Sequence, residues 1–416
     1  MSLRSLAARV AVAVLLLAGA APVRAADFVD SAMRRVVLPD HVARVMAAGP
    51  TAEVLVFVLA PDKLVGWTRP RYDKRAGYLP AKYRHLPVVG RITGPYARVT
   101  PAEVRRLHPD LVIDAGPISP ERIAFADQFQ RASGVPYILV DDTLQRTPAI
   151  LRSIGTVLGV ADRANDLALY AEHALTAVRG NLLILSPENR PRVYYGRRTD
   201  GLETGLPGSP PADAINEIGV INVANRLGRD ARVAITPEQL RLLNPSIIIA
   251  EDRTFYNALM REPRWRGVNA VVERQVYLEP SEPYGWIDDP PGVNRLIGLY
   301  WLTNVFYPDT LQEDLRTNVK GFYEKFYGVT LTDKQLDSLL RLAVKPGQKP
   351  AAGAEPLVGL GAAPPTPAPL PPVGAAPRAH PPGRGGLVPG GNVPGASAIP
   401  PLPPIPPLPP LPPAPK

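Results

Sequence analysis

The pattern of apolar and polar residues along the chain contains one segment that is used twice. Residues 100–115 read TPAEVRRLHPDLVIDA, and residues 236–251 read TPEQLRLLNPSIIIAE. In each copy, Thr followed by Pro is typical of a helix start, apolar residues follow at helical spacing, and a second Pro precedes a short apolar run. The pattern predicts a helix followed by a buried strand of a largely parallel sheet.

The two copies begin 136 residues apart. Solenoid repeats have periods of roughly 20–50 residues, so the duplicated unit is a whole lobe rather than a small repeat. We therefore predict an α/β fold with two Rossmann-like lobes, at residues 26–146 and 186–345, and a ligand cleft between them. The strands near 110–115 and 246–251 should occupy equivalent positions in their sheets.

Residues 147–185 predict the connection between the lobes. Apolar residues recur there at helical spacing, and no Pro interrupts the segment after Pro148. We expect a single long backbone helix. Such a helix is stiffer than a pair of crossing strands, so cleft closure should be small.

The two ends of the chain differ from the lobes. Residues 1–25 combine early arginines, an apolar run and a small-residue site, which predicts a secretory signal cleaved near Ala25; a single membrane anchor is the alternative. Residues 346–416 contain 25 prolines among 71 residues, which predicts a disordered tail. The tail is either an extension that the activity does not need or a spacer or ligand for a proline-binding groove. The exported protein should be periplasmic.

Composition narrows the chemistry. The net charge is +9, but export and scattered basic residues argue against a nucleic-acid partner and favour a small anionic ligand. There is no cysteine, and the five histidines are widely spaced, which disfavours capture of a naked metal ion. No nucleophile elbow, phosphate-binding loop or zinc-protease motif is present, so we expect neither an enzyme nor a bound cofactor.

The chain resembles the periplasmic substrate-binding proteins of bacterial importers for ferric siderophores, cobalamin and related metal chelates. The resemblance covers about residues 35–327 and rests on the duplicated segment, on 60–67 (APDKLVGW), on 158–164 (LGVADRA) and on 274–277 (RQVY). It implies a transient partner, the ABC permease, and no catalysis. Residues 192–208 and 284–295 look like a subgroup described as iron-complex binding, which also resembles binders of molybdate and nickel chelates.

In this family, a glutamate on each lobe is thought to dock onto arginines of the permease. Glu238 occupies the matching place in the second lobe. In the first lobe Ala102 stands there, and Glu103 is one step further on. The two candidate docking residues are therefore Glu238 and Glu103, and we expect an asymmetric role; the alternative is that both simply favour the first turn of a helix.

A wrapped metal needs cationic and aromatic contacts from cleft loops. The loop at 196–208 is favoured because its glycines permit close backbone approach at the end of a strand. Tryptophans can instead be core, and arginines solvated surface. The candidate ligand-binding residues are Trp67, Arg69, Arg71, Tyr78 and Arg91 in the first lobe, and Tyr195, Arg197, Arg198, Glu203, Tyr284, Trp286 and Asp288 in the second.

These patterns together favour a monomeric binding protein that captures a metal chelate, foremost a ferric siderophore. Molybdate, a nickel chelate and cobalamin are alternatives within the same class. A different class, an envelope scaffold that acts through the proline-rich tail, also fits the sequence.

Overall fold

The computed structural model describes residues 26–70, 77–229, 232–308 and 314–345. The predicted signal and the predicted tail lie outside these residues. The elements of the first lobe are β1 (Ala26–Val29), β2 (Arg35–Leu38), β3 (Val45–Ala47), α1 (Pro50–Leu59), α2 (Pro101–Leu107), β4 (Leu111–Ala115), α3 (Pro120–Ser133) and β5 (Tyr137–Val140).

Two connecting helices and the second lobe follow. Their elements are α4 (Thr147–Val157), α5 (Ala161–Ile184), β6 (Arg192–Gly196), β7 (Glu203–Gly205), α6 (Pro210–Glu217), β8 (Ile221–Asn222), β9 (Arg232–Ala234), α7 (Pro237–Leu243), β10 (Ile247–Ala250), α8 (Arg253–Arg261), α9 (Asn269–Val272), β11 (Val276–Leu278), α10 (Arg295–Phe306), α11 (Leu315–Phe322), a π-helical turn (Tyr323–Tyr327) and α12 (Asp333–Leu340).

Each lobe contains a parallel sheet, and the two sheets correspond. The first has the order β3-β4-β5, and the second the order β8-β6-β10-β11. Strand β4 thus lies between its neighbours as β10 does, which is the equivalence that the duplicated segment predicts. The predicted α/β fold with two lobes is confirmed.

The duplicated helices α2 and α7 begin and end in the same way. The Thr100 and Thr236 hydroxyls each accept a hydrogen bond from the backbone N–H of the third helical residue, and the backbone N–H of each Thr donates to the side-chain oxygen of that residue. Both helices end at a residue in the left-handed region, His108 or Asn244. Local capping chemistry therefore sets the length of each helix before tertiary packing contributes.

The connection between the lobes is helical, with one break. Helices α4 and α5 pack against each other and are separated by Leu158–Val160, where Gly159 takes a positive φ of 65°. The longer helix, α5, has 24 residues. Within the described residues, no helix is both long enough and apolar enough to cross a membrane.

Three apolar clusters hold the fold together. Each sheet has one face in a cluster of its own, and the other face in a cluster shared with α1, the connecting helices and α10–α11. Along β4, for example, Leu111 and Ile113 face the shared cluster, whereas Val112 faces the first lobe's own cluster. Burial on both faces explains why these strands are continuous apolar runs rather than alternating ones.

The segment between β11 and α10 (residues 279–294) packs onto α10 by close backbone approach. A Cβ on Gly298 of α10 would lie 2.0 Å from the carbonyl oxygen of Trp286. Trp286 is fully buried, and its ring lies edge-on to that of Trp301 in α10. Glycine at 298 therefore lets this segment, which carries several candidate ligand residues, lie directly on the helix.

We expect Gly298→Ala to destabilise the protein by roughly 1–3 kcal/mol, because the new methyl group meets backbone atoms that cannot rotate away. The matched control is Gly180→Ala in α5, where a Cβ would have nothing within 4 Å; it should be neutral or stabilising by up to about 1 kcal/mol. Urea denaturation of both variants measures the difference. Equal stability for the two variants would contradict the packing argument.

Candidate ligand site between the lobes

Polar side chains of the second lobe follow three neighbouring strands, at the point where each strand ends. Arg197 follows β6, Glu251 follows β10, and Glu279 follows β11. The carboxyl ends of parallel strands meet at one edge of a sheet, which is where α/β proteins bind ligands. The topology therefore brings these three residues to one edge, facing the first lobe.

Arg197 lies at the centre of this edge. Its side chain is 5% exposed, its Nη2 lies 2.5 Å from Asp288 Oδ2 and 3.7 Å from Glu251 Oε1, and its Nη1 pairs with Glu203. Burial alone would lower the pKa of Arg197, but the surrounding negative charges outweigh burial and raise it. The guanidinium is therefore a fixed cation, held by three carboxylates.

Glu279 is buried and forms hydrogen bonds that hold the segment at 279–294 in place. Its Oε1 accepts from the backbone N–H of Ile287 at 2.6 Å and of Asp288 at 3.2 Å, and its Oε2 accepts from the Tyr195 hydroxyl at 2.7 Å. Burial, together with the nearby charge of Glu251, raises the pKa of Glu279 to about 8. The carboxyl group is therefore mostly protonated at neutral pH.

Across the cleft, two arginines of the first lobe lie near each other. Arg69 follows a short parallel pairing of Trp67 with Val88, and Arg91 follows the second of those segments. Burial and the positive charge of Arg69 lower the pKa of Arg91. Arg69 Nη1 lies 2.9 Å from Asp289 Oδ1, and Nη2 donates to the Asp289 carbonyl oxygen at 3.2 Å, so this ion pair joins the lobes.

Glu53 of α1 makes a second connection between the lobes. Its Oε2 accepts from the Thr68 backbone N–H at 2.5 Å and from the Thr68 hydroxyl at 2.8 Å. Its Oε1 accepts from the Tyr284 hydroxyl at 2.9 Å. All of these groups are buried. Glu53 thereby fixes the segment before Arg69 against the segment that carries Asp289.

The structure brings many of the candidate ligand residues together, but several of them are engaged in protein contacts. Trp67 and Trp286 are buried in the shared apolar cluster, Tyr195 and Tyr284 hydrogen bond to Glu279 and Glu53, and Tyr78 donates to the Gln335 carbonyl oxygen. Arg198 is half exposed and, with Glu203, borders Arg197. Arg71 lies outside the described residues. As ligand contacts, all of these residues stay predictions.

Two glycines of the loop at 196–208 lie against an aromatic ring of the second lobe, and contact of this loop with a ligand stays a prediction. A Cβ on Gly196 or Gly201 would lie 2.4 or 2.1 Å from the ring of Phe255 in α8, and Gly201 has a positive φ of 68°. These two glycines allow close packing within the second lobe. The strand-end position of the loop, rather than the glycines, brings Arg197 to the cleft.

Sequence reasoning included Glu203 and Asp288 but missed the other carboxylates that organise the site. Glu53 is the one charged residue in the apolar helix α1, and Glu251 and Glu279 directly follow buried strands. A charge within an apolar helix and a carboxylate directly after an apolar strand are both features that can be recognised in the sequence. Asp289 had a weaker signal, since it lies in an irregular segment and its partner Arg69 is 220 residues away.

Two cavities border the cleft. One of about 520 Å³ lies at the carboxyl edge of the second sheet and is lined by Tyr78, Glu251, Asp252, Arg253, Glu282 and neighbouring residues. A smaller one, of about 30 Å³, lies between the lobes beside Asp142 and Arg295. Within the described ranges, no group of three or more His, Cys, Asp or Glu side chains could hold a metal ion.

A sequence model of periplasmic binding proteins matches residues 56–283, which is more than half of the chain. The chain belongs to this family. Its members are substrate-binding transport proteins rather than enzymes, and the chain is accordingly a periplasmic binding protein of an ABC transporter. No curated protein matches the chain.

Solved structures of periplasmic binding proteins share the fold. An ABC transporter solute binding protein from Sulfurospirillum deleyianum is 27% identical, with a TM-score of 0.67 over 76% of this chain and 99% of that one. A periplasmic solute binding protein from Veillonella parvula is 22% identical, with a TM-score of 0.64 over 76% and 98%. The molybdate-bound protein MolA from Haemophilus influenzae is 19% identical, with a TM-score of 0.62 over 74% and 99%.

The two candidate docking glutamates of this periplasmic binding protein have different surroundings. Glu238 in the first turn of α7 has a 66% exposed side chain that pairs with Arg241 at 2.9 Å. The carboxylate of Glu103 instead accepts from the Thr100 backbone at 2.7 Å and from its hydroxyl at 2.8 Å. Gln239 makes the same backbone contact in α7. Glu103 therefore has a structural role that a neutral side chain also fills.

The protonated Glu279 predicts a pH dependence. Its folded pKa of about 8 exceeds the ordinary value of 4.5, so the folded state holds more protons between these pH values. The free energy of unfolding should therefore fall as pH rises through this interval, by at most about 1.4 kcal/mol per pH unit from this group. Glu279→Gln, which cannot ionise, should flatten the decline measured by urea denaturation from pH 5 to 8.5.

The control for this measurement is Glu273→Gln, since Glu273 is exposed at the opposite edge of the sheet. It should leave the slope unchanged. A Glu279→Gln variant with the full wild-type slope would contradict a buried proton at this position.

Proposed function

We propose that this periplasmic binding protein captures an anionic metal chelate, foremost a ferric siderophore, and delivers it to its permease. The observation that carries the proposal is the pair Arg69 and Arg91 at the cleft edge of the first lobe. The positive charge of Arg69 contributes to the lowered pKa of Arg91, so the two side chains repel each other. An anionic ligand would relieve that repulsion, and guanidinium groups suit the carboxylate or catecholate oxygens of a chelate.

The second lobe supports this interpretation. Arg197 is a cation whose charge is already balanced by Asp288, Glu251 and Glu203, so it needs no further anion. The excess positive charge that a ligand can use therefore lies on the first lobe. The scarcity of clustered metal-ligating side chains in the described residues favours cargo whose metal is already wrapped.

A second candidate is a cationic chelate such as a nickel complex. The 520 Å³ cavity favours it, because Glu251, Asp252 and Glu282 outnumber Arg253 in its lining. Solved structures with this fold include a protein bound to molybdate, a protein with Ni(II) bound and a protein of an Fe³⁺-hydroxamate transport system. Those three proteins are less than 25% identical to the chain, so they support the fold alone.

Ligands that differ in charge test the proposal. Thermal shift should be measured with a negatively charged ferric triscatecholate, a neutral ferric trihydroxamate, heme, cobalamin, molybdate and a nickel–histidine complex, because a ligand that binds only the folded state raises its melting temperature. We expect the largest shift from the anionic ferric chelate. A shift from the nickel complex alone would favour the second candidate, and no shift from any ligand would overturn the proposal.

Arg69→Gln and Arg91→Gln should each weaken binding of the ferric triscatecholate by about tenfold or more, since each removes a charged hydrogen-bond donor. Arg131→Gln on the exposed face of α3 is the matched control and should bind like wild type. Tryptophan fluorescence quenching gives the three dissociation constants. Wild-type affinity in both cleft variants would show that the ligand binds elsewhere.

For permease docking, Glu238→Lys should impair uptake in cells and leave ligand binding to the isolated protein intact, because the charge lies on an exposed helix start. Glu103→Gln removes the charge but retains the cap that Gln239 provides in α7, so uptake should change little. Uptake of radiolabelled ferric chelate measures both. A transport defect of equal size from Glu103→Gln would show that both lobes dock through a glutamate.

The remaining parts of the proposal concern the ends of the chain. We infer export with cleavage near Ala25, a monomeric binding protein, and a tail at 346–416 that the binding activity does not need. Intact mass of the exported protein and its elution volume on a sizing column test the first two inferences. Export fits the family, whose members work outside the cytoplasm.

A further inference from the structure

Asp289 forms an ion pair with Arg69, which is the cationic group that the proposed anionic ligand would bind. Arg69 binds Asp289 twice, through the carboxylate at 2.9 Å and through the backbone carbonyl at 3.2 Å. The two residues belong to opposite lobes. The Asp289 side chain is 56% exposed whereas that of Arg69 is 18% exposed, so the carboxylate lies on the solvent side of the pair.

Asp289 lies in a segment that buried hydrogen bonds hold in place. Glu279 holds the backbone N–H groups of Ile287 and Asp288, and Glu53 holds Tyr284. Gly285 allows the segment to fold on itself, since a Cβ there would lie 1.7 Å from the Asp288 carbonyl oxygen. Asp289 itself has a positive φ of 56°, in the left-handed region. Its position against Arg69 therefore follows from buried contacts in both lobes.

We propose that Asp289 is a built-in competitor of the ligand: its carboxylate holds Arg69 in the ligand-free protein, and an anionic group of the ligand replaces it. This inference rests on the proposed function, because it concerns the same arginine. No covalent bond changes. One charged hydrogen bond is exchanged for another, and Arg69 remains a donor throughout.

Such competition lowers the affinity of any ligand that needs Arg69. The apparent affinity is the intrinsic affinity multiplied by the fraction of molecules in which Arg69 is free. A ligand with strongly charged oxygens can displace the carboxylate, whereas a neutral chelate lacks the charge to do so. Asp289 would therefore lower the affinity of anionic chelates that need Arg69 and have little effect on neutral chelates that do not use it.

The first experiment needs no ligand. Phenylglyoxal modifies accessible arginines, and mass spectrometry of peptides gives a rate for each residue. Asn and Gly tolerate a positive φ, so Asp289→Asn and Asp289→Gly are suitable variants. Modification of Arg69 should be about threefold to tenfold faster in both variants than in wild type, while Arg131 reacts equally in all three. An unchanged rate at Arg69 in both variants would overturn the inference.

The second experiment measures affinity for a ferric triscatecholate and for a neutral ferric trihydroxamate. Removing the competing charge should tighten binding of the triscatecholate by about fivefold, the upper range for a partly exposed ion pair. The trihydroxamate, which has no charge to pair with Arg69, should gain less, so that the preference for the anionic ligand widens. The control is Glu273→Gln, which removes one exposed negative charge at the opposite edge of the sheet and should change neither affinity.

The outcomes separate this inference from the proposed function. If wild type binds the triscatecholate and the Asp289 variants bind it equally or more weakly, Asp289 is not a competitor although the function stands. If neither wild type nor variants bind any of the chelates, the proposed function fails, and faster modification of Arg69 in the variants would still establish the competing ion pair.

Discussion

The geometry of the cleft depends on two buried carboxyl groups that hold one irregular segment, residues 279–294. Glu279 holds it from the second lobe and Glu53 from the first. A buried carboxyl group is costly unless hydrogen bonds compensate it, and each of these groups has three neighbouring donors. The segment contains both Asp288 and Asp289. The hydrogen bonds of Glu279 and Glu53 therefore determine where these two carboxylates lie and how they pair with Arg197 and Arg69.

The apolar clusters hold the elements that carry Glu53 and Glu279 in fixed positions. One apolar cluster is shared by both lobes, the connecting helices and α10, so the lobes meet over close-packed side chains as well as across a cleft. Close-packed interfaces resist continuous deformation. We therefore expect the helical connection and the shared cluster to restrict the lobes to small movements, so that binding of the proposed ligand would mainly exchange polar contacts at the cleft edge.

The sequence predicted the parts of the fold that local chemistry determines. Thr-Pro starts and continuous apolar strands appear in the duplicated segment, and the sheets contain β4 and β10 in equivalent places. It also indicated strand-end residues such as Arg197. It did not indicate that Tyr284 meets Glu53 or that Arg69 meets Asp289, because those pairs join residues 231 and 220 positions apart. Neither helical nor strand periodicity carries information over such separations.

The charge balance of the cleft follows from these long-range pairs. Composition alone does not distinguish the basic residues of the two lobes as partners for an anion. The structure distinguishes them, because Arg197 is buried among three carboxylates, whereas Arg69 and Arg91 lie together and meet only Asp289 from the facing lobe among the pairs described above. The asymmetry of charge between the lobes, rather than the net charge of the chain, therefore determines which side of the cleft can recognise an anionic ligand.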